Sequence, residues 1–188
     1  MITINLNNML MNFHTKSSLF SPNALDAGTK AILSCVTFDQ SDKVLDLGCG
    51  YGVIGIYAAK QIGEEHVTMV DIDNATVSVA KENAALNGVP NIQVFQSDGF
   101  CNIDDSGYTI ILSNPPYHTD FSVAKHFIEK GFNRLSIGGK MIMVTKRKDW
   151  YKNKLISIFG GVIIKEIDGY FVFISEKRTS HFSKRKKK

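Results

Sequence analysis

Few folds accommodate a short apolar run that stops abruptly at three alternating glycines, as Val44-Leu45-Asp46-Leu47 does on reaching Gly48-Cys49-Gly50-Tyr51-Gly52. The run predicts a strand over 43–47, and the glycines predict a tight turn into a helix that lasts to about residue 61. The same alternation continues downstream. Strands are expected over 66–71, 92–96, 108–113 and 140–145. The helices between them are expected from Asn74, as cap, to Asn87; over about 122–135; and from Asp149, as cap, to Phe159. Two closing strands, 162–167 and 170–175, are separated by Asp168-Gly169, a hairpin signal. Regular strand–helix alternation ending in an antiparallel hairpin predicts an α/β, Rossmann-like, mostly parallel sheet with helices on both faces.

The chain has 188 residues, 44% hydrophobic and 21% charged, which suits one core better than two. We expect residues 1–183 to form a single domain. Within it, 1–40 is an N-terminal extension and helix covering the ligand site, and 184–188 is a basic tail. No stretch approaches the roughly 20 apolar residues of a membrane span, and the N-terminus lacks the basic and apolar regions of a secretion signal. Cys35, Cys49 and Cys101 are odd in number with no CxxC pair. They read as reduced thiols, and the expected location is the cytoplasm.

Parallel right-handed crossovers place a ligand at the carboxyl ends of the strands, and each motif falls at such an end. The Gly48, Gly50 and Gly52 turn differs from a dinucleotide fingerprint, whose third glycine belongs at the position of Val53. It lacks the Gly-Lys-Ser/Thr of a phosphate loop. Asp46 is an awkward neighbour for a pyrophosphate but suits a cationic group such as a methionine ammonium. Asp71, with Ile72 after it, ends the second strand, where a carboxylate can accept from both hydroxyls of a ribose. Asp98, followed by Gly99, ends the third and can accept from an adenine amino group. Any one aspartate is as often a cap or turn residue. Three at successive strand ends leave that explanation little room. Cys49 and Tyr51 read as turn fillers.

Asn114-Pro115-Pro116-Tyr117 follows the fourth strand. Alkylating an sp² nitrogen requires its lone pair to be drawn out of conjugation. Two acceptors on the two N–H groups, the Asn114 side-chain oxygen and the Pro115 carbonyl, can do that. The prolines fix the backbone and remove competing donors, and Tyr117 offers a ring for stacking on a planar base or amide. A methyl on a positively charged sulfur is already activated, so neither a strong base nor a metal is needed.

These residues resemble class I S-adenosylmethionine-dependent methyltransferases over nearly the whole chain. More narrowly, Leu19-Phe20-Ser21, Leu25-Asp26-Ala27-Gly28-Thr29, residues 44–55 and residues 113–117 are similar to the "methyltransferase small" family, which includes guanine-N2 methyltransferases of ribosomal RNA. The resemblance implies a seven-stranded sheet with one antiparallel strand. It also implies that Asp26, Gly28 and Thr29 lie beside the cofactor's methionine end. Two departures stand out. Where ribosomal guanine enzymes usually continue with Phe or Ile and then Gly-Lys, this chain has Tyr117-His118-Thr119-Asp120-Phe121. The late Gly-Tyr-Arg pattern is here Gly169-Tyr170-Phe171.

Charge bears on the acceptor. Residues 1–139 hold 8 Lys and Arg against 14 Asp and Glu; residues 140–188 hold 14 against 4. A basic last quarter, with Lys146-Arg147-Lys148, Lys152 and Lys154 near the fifth strand end, fits a polyanion whose phosphates give affinity without sequence. The expected substrate is therefore an exocyclic amino group of an RNA base, and the resemblance puts guanine N2 of ribosomal RNA first and adenine N6 second. A protein glutamine amide fits the tetrapeptide equally but leaves the basic segment unexplained. A noncatalytic RNA-binding module is the remote alternative.

Overall fold

The computed structural model describes residues 1–15, 24–115 and 120–183. Seven strands form one sheet: β3 (Val44–Leu47), β4 (Val67–Asp71), β5 (Gln93–Gln96), β6 (Tyr108–Ser113), β7 (Leu135–Thr145), β8 (Ile163–Ile167) and β9 (Tyr170–Glu176), in the order β5-β4-β3-β6-β7-β9-β8. β3 pairs in parallel with both β4 and β6, β4 with β5, and β6 with β7. β9 runs against both β7 and β8, so it is the one antiparallel strand of the sheet. The fold is the α/β arrangement expected from the sequence.

The helices lie on the two faces. α1 (Ala27–Leu33), α2 (Val53–Ile62) and α3 (Asn74–Leu86) cover one, α4 (Phe121–Arg134) and α5 (Lys148–Phe159) the other. β3 shows why its sequence carries no polar alternation: Val44 joins the first core, Leu45 and Leu47 the second, and all four of its residues are buried. No helix among the described residues is long and apolar enough to cross a membrane.

Three local expectations are corrected. Asp73, not Asn74, caps α3, its carboxylate accepting from the N–H groups of Ala75 and Thr76. α5 begins at Lys148 after Arg147, which makes no side-chain cap bond, and Asp149 lies in the first turn. β7 begins at Leu135, five residues before the strand expected over 140–145, and runs through Gly138 and Gly139. A Cβ on Gly139 would stand 2.8 Å from the Tyr108 carbonyl oxygen, so the strand needs a glycine there to approach β6.

The N-terminal extension holds a hairpin, β1 (Ile2–Leu6) and β2 (Met9–Phe13), joined by Asn7 and Asn8 with φ of 49° and 63°. Met11 and Phe13 are fully buried. Two amides one turn apart, Asn83 on α3 and Asn87 at its C-terminal cap, hold β2 down: Asn83 accepts from the His14 N–H and donates to its carbonyl, and Asn87 does the same for Asn12.

Strand order explains where a ligand can sit. From β3 the chain steps outward to β4 and β5, then returns to lay β6 on the other side of β3. Such a reversal opens a crevice at the carboxyl ends of the strands.

Candidate active site

A cavity of about 560 Å³ opens at that crevice. Its floor is the turn after β3. Gly48, Gly50 and Gly52 all have positive φ, which lets the turn fold back over the sheet. The N–H groups of Gly48 and Cys49 both donate to the Val70 carbonyl at 2.9 Å, tying the turn to β4. Gly48 and Gly50 line the cavity; Gly52, the cap of α2, does not.

Asp71 closes β4 on the wall of the cavity. Its Oδ2 accepts from the Gly50 N–H at 2.9 Å and its Oδ1 from the Asp73 N–H at 3.1 Å. Each carboxylate oxygen keeps a second lone pair for an incoming hydroxyl. Ile72 beside it is 62% exposed, an apolar surface at the rim on which a planar ring can lie. Asp98 is exposed and Gly99 buried, both on the wall at the end of β5.

Asp46 sits differently from the expectation of direct contact. It is fully buried, lies behind the cavity wall, and accepts from the Gly55 N–H through Oδ2 at 2.8 Å. Its Oδ1 has no hydrogen-bond partner among the described residues. Burial, partly offset by that N–H and reinforced by the nearby charge of Asp71, raises its pKa to about 7. Burial also pushes the Cys49 thiol well above its usual range, so it stays protonated at neutral pH and is no nucleophile.

The opposite wall is built from β6 and α1. Asn114 and Pro115 follow the end of β6, where Ser113 donates to the Leu47 carbonyl and fixes the end of β6 against that of β3. The Asn114 Nδ2 donates to Asp26 Oδ2 at 2.7 Å and to Thr29 Oγ1 at 3.1 Å. Asp26 and Thr29 line the cavity, and Gly28 lies behind them against the ring of Tyr170. Tyr117, with Pro116, His118 and Thr119, lies outside the described residues, as do Leu19, Phe20 and Ser21. Val123 and Phe127 of α4 also line the cavity, Phe127 beside Gly99. Sequence reading missed both; the only signal was the amphipathic helix that follows the tetrapeptide. It missed Asp73 too, which lines the cavity as well as capping α3.

Beyond Asn114 the surface turns aromatic and basic. Phe121 stacks on Trp150 with centroids 4.3 Å apart and planes 12° from parallel, and the Arg147 guanidinium lies over the Phe121 ring at 4.9 Å. Lys146 sits over Tyr170 at 4.8 Å and Lys148 over Phe171 at 4.9 Å. Lys154, grouped with these cations in the sequence, is instead ion-paired with Glu129.

The chain matches the "Methyltransferase small domain" family over residues 10–175. It is 34% identical over 176 residues to "Ribosomal RNA small subunit methyltransferase C" of Psychromonas ingrahamii, covering 92% of this chain and 50% of that protein. It is 29% identical over 180 residues to "Uncharacterized protein YbxB" of Bacillus subtilis, covering 92% and 89%. Among solved structures, a T. thermophilus 16S rRNA N2 G1207 methyltransferase (RsmC), in complex with AdoMet and guanosine, superposes with a TM-score of 0.85 at 26% identity. That match covers 94% of this chain and 50% of the other. The chain thus spans most of YbxB but about half of these ribosomal RNA methyltransferases. On the extent of the family match, the chain belongs to the methyltransferase small domain family.

Proposed function

We propose that the chain is an S-adenosylmethionine-dependent N-methyltransferase that modifies an exocyclic amino group of an RNA base, guanine N2 of ribosomal RNA. One observation carries the reading: Asp71 and the Asn114-Pro115 pair face the same cavity from β4 and β6, the two strands that flank β3. A nucleoside held at the first can thus present a group to an acceptor held at the second.

The residues present fit the cofactor. Asp71 retains lone pairs for the ribose hydroxyls, and Asp98 is placed to accept from the adenine amine. Ile72 supplies an apolar face, Gly48 and Gly50 let backbone approach the nucleoside, and Gly99 lets α4 pack close to the end of β5. Asp46, with an unmatched buried oxygen and a pKa of about 7, is partly ionised at neutral pH, and a cationic ammonium or sulfonium nearby favours its charged form. S-adenosylmethionine, when bound, supplies a methyl group already activated by its positive sulfur.

The protein's own part is placement. Asn114 Oδ1 and the Pro115 carbonyl accept from the two N–H groups of the target amine, which draws its lone pair out of the ring. Orientation of this kind supplies roughly 7–11 kcal/mol of a barrier. Val123 and Phe127 of α4 add apolar surface to the cavity, Phe127 beside Gly99. Lys146, Arg147 and Lys148, each over an aromatic ring at the edge of the site, offer cations to RNA phosphates. Residues 1–183 act as one domain, with 1–40 bringing α1 over the site, and the protein works in the cytoplasm. The 184–188 tail lies outside the described residues.

The direct test incubates the purified protein with S-adenosylmethionine and ribosomal RNA from a strain lacking the gene, followed by nucleoside mass spectrometry. The expected product is N2-methylguanosine. N6-methyladenosine would move the reading to adenine, and transfer to a glutamine-bearing protein instead of RNA would overturn it.

A further inference from the structure

The Asn114 amide is held from behind. Its Nδ2 donates to Asp26 Oδ2 at 2.7 Å and to Thr29 Oγ1 at 3.1 Å. An ionised carboxylate accepts and never donates, whereas a hydroxyl does both. Asp26 alone therefore fixes which way the amide faces: turned over, its oxygen would meet a carboxylate oxygen at hydrogen-bond distance. With the nitrogen committed to Asp26, Oδ1 is the atom left at the opposite edge of the amide.

The clamp is itself rigid. The same Asp26 Oδ2 accepts from the Thr29 N–H at 2.9 Å, and both residues are less than a tenth exposed, at 8% and 9%. Gly28 keeps the space clear. A Cβ there would stand 2.9 Å from that oxygen and 3.0 Å from the Tyr170 ring, so a side chain at this position would require the carboxylate or the ring to shift. Asp-x-Gly-Thr thus works as one device, with a decisive acceptor, a clearance and an auxiliary acceptor.

We propose that Asp26, assisted by Thr29, is a positioning residue that acts through Asn114, holding the amide so that its oxygen faces the acceptor nitrogen. This rests on the assignment of Asn114 under the proposed function. It differs from a role at the cofactor's methionine end, which would make Asp26 a binding contact whose negative charge matters.

The two roles separate on three variants measured for kcat with ribosomal RNA and for affinity toward S-adenosylhomocysteine. Asp26→Ala should lower kcat about 10- to 100-fold, the size expected for losing a hydrogen bond to a charged group, with cofactor affinity within about 3-fold. Asp26→Asn can still offer an oxygen to both donors, so kcat should recover to within about 5-fold of wild type. In an Asn114→Ala background, Asp26→Ala should cost nothing further, because the residue it positions is gone. Thr29→Val keeps the backbone N–H and the shape, and should lower kcat about 2- to 5-fold with the same non-additivity. It serves if Asp26→Ala fails to fold. Loss of cofactor affinity in Asp26→Asn, or an equal fall in kcat with and without Asn114, would overturn the proposal. Wild-type turnover by Asn114→Ala alone would instead overturn the function on which it rests.

Discussion

The two ends of the cavity are made differently. At the nucleoside end, Gly48, Gly50, Asp71 and Asp98 sit at the termini of three adjacent strands, and their ties run through backbone N–H groups. At the acceptor end, Asp26 and Asn114 are 88 residues apart and meet through side chains. Backbone ties follow from strand pairing and turn geometry, so substitution there should change affinity while the frame persists. Side-chain ties hold one reactive geometry, so substitution there should change rate. The comparison predicts that the two ends separate cleanly in kinetics.

The largest effect is expected at the acceptor end. Asn114→Ala should slow single-turnover methyl transfer about 100- to 1000-fold, because it removes an acceptor that matters most as the target nitrogen changes shape. Affinity for S-adenosylhomocysteine, read by calorimetry, should stay within a few-fold. A matching loss of affinity would erase the distinction between the ends.

Asp71→Ala should do the reverse. Losing hydrogen bonds to a charged acceptor weakens cofactor binding about 10- to 100-fold, and the rate at saturating cofactor should change much less. Calorimetry showing unchanged affinity would remove Asp71 from the nucleoside end.

Asp46 sharpens the comparison through pH. Its pKa in the folded protein is about 7, raised from 3.8 by burial. The folded state therefore holds a proton that the unfolded state releases between those values. The stability this brings is present in full below about pH 4 and is lost as pH rises through about 7. Denaturant unfolding of the cofactor-free protein should show its Asp46-dependent part falling by a few kcal/mol across that window. Asp46→Asn should flatten that part of the profile; an unchanged profile would mean the carboxylate is charged throughout.

The smallest effect is expected outside the cavity. Arg147→Ala should weaken RNA binding a few-fold and reduce the slope of log affinity against log salt by about 1, with cofactor affinity untouched. An unchanged slope would take Arg147 off the RNA path.

The same contrast explains what was legible in the sequence. The strand over Tyr108–Ser113 has the expected bounds, because its apolar run is bounded by Gly107 and Pro115, both strong stops. The carboxyl ends of β3, β4 and β5 could be read from local chemistry, since each motif directly follows its own strand. The Asp26–Asn114 contact could not, because it depends on where α1 lands. Asp26 caps α1 through a contact three residues away in sequence, but its hold on Asn114 exists only in the tertiary fold. The N-terminal hairpin was missed for a related reason. Its turn is Asn7-Asn8, lacking the glycine that marks such turns most clearly, and Met9 and Met11 carry little strand preference. Burial of Met11 and Phe13 and the grip of Asn83 and Asn87 decide that segment, and neither shows in a local window.

The central claim is methyl transfer to a guanine amino group of ribosomal RNA by an Asn114-centred site. Nucleoside mass spectrometry of ribosomal RNA, from a strain lacking the gene and from the same strain carrying wild-type or Asn114→Ala protein, tests it most directly. The account predicts that one N2-methylguanosine disappears on deletion, returns with the wild-type protein and does not return with Asn114→Ala. An unchanged N2-methylguanosine content on deletion, or full restoration by Asn114→Ala, would contradict it.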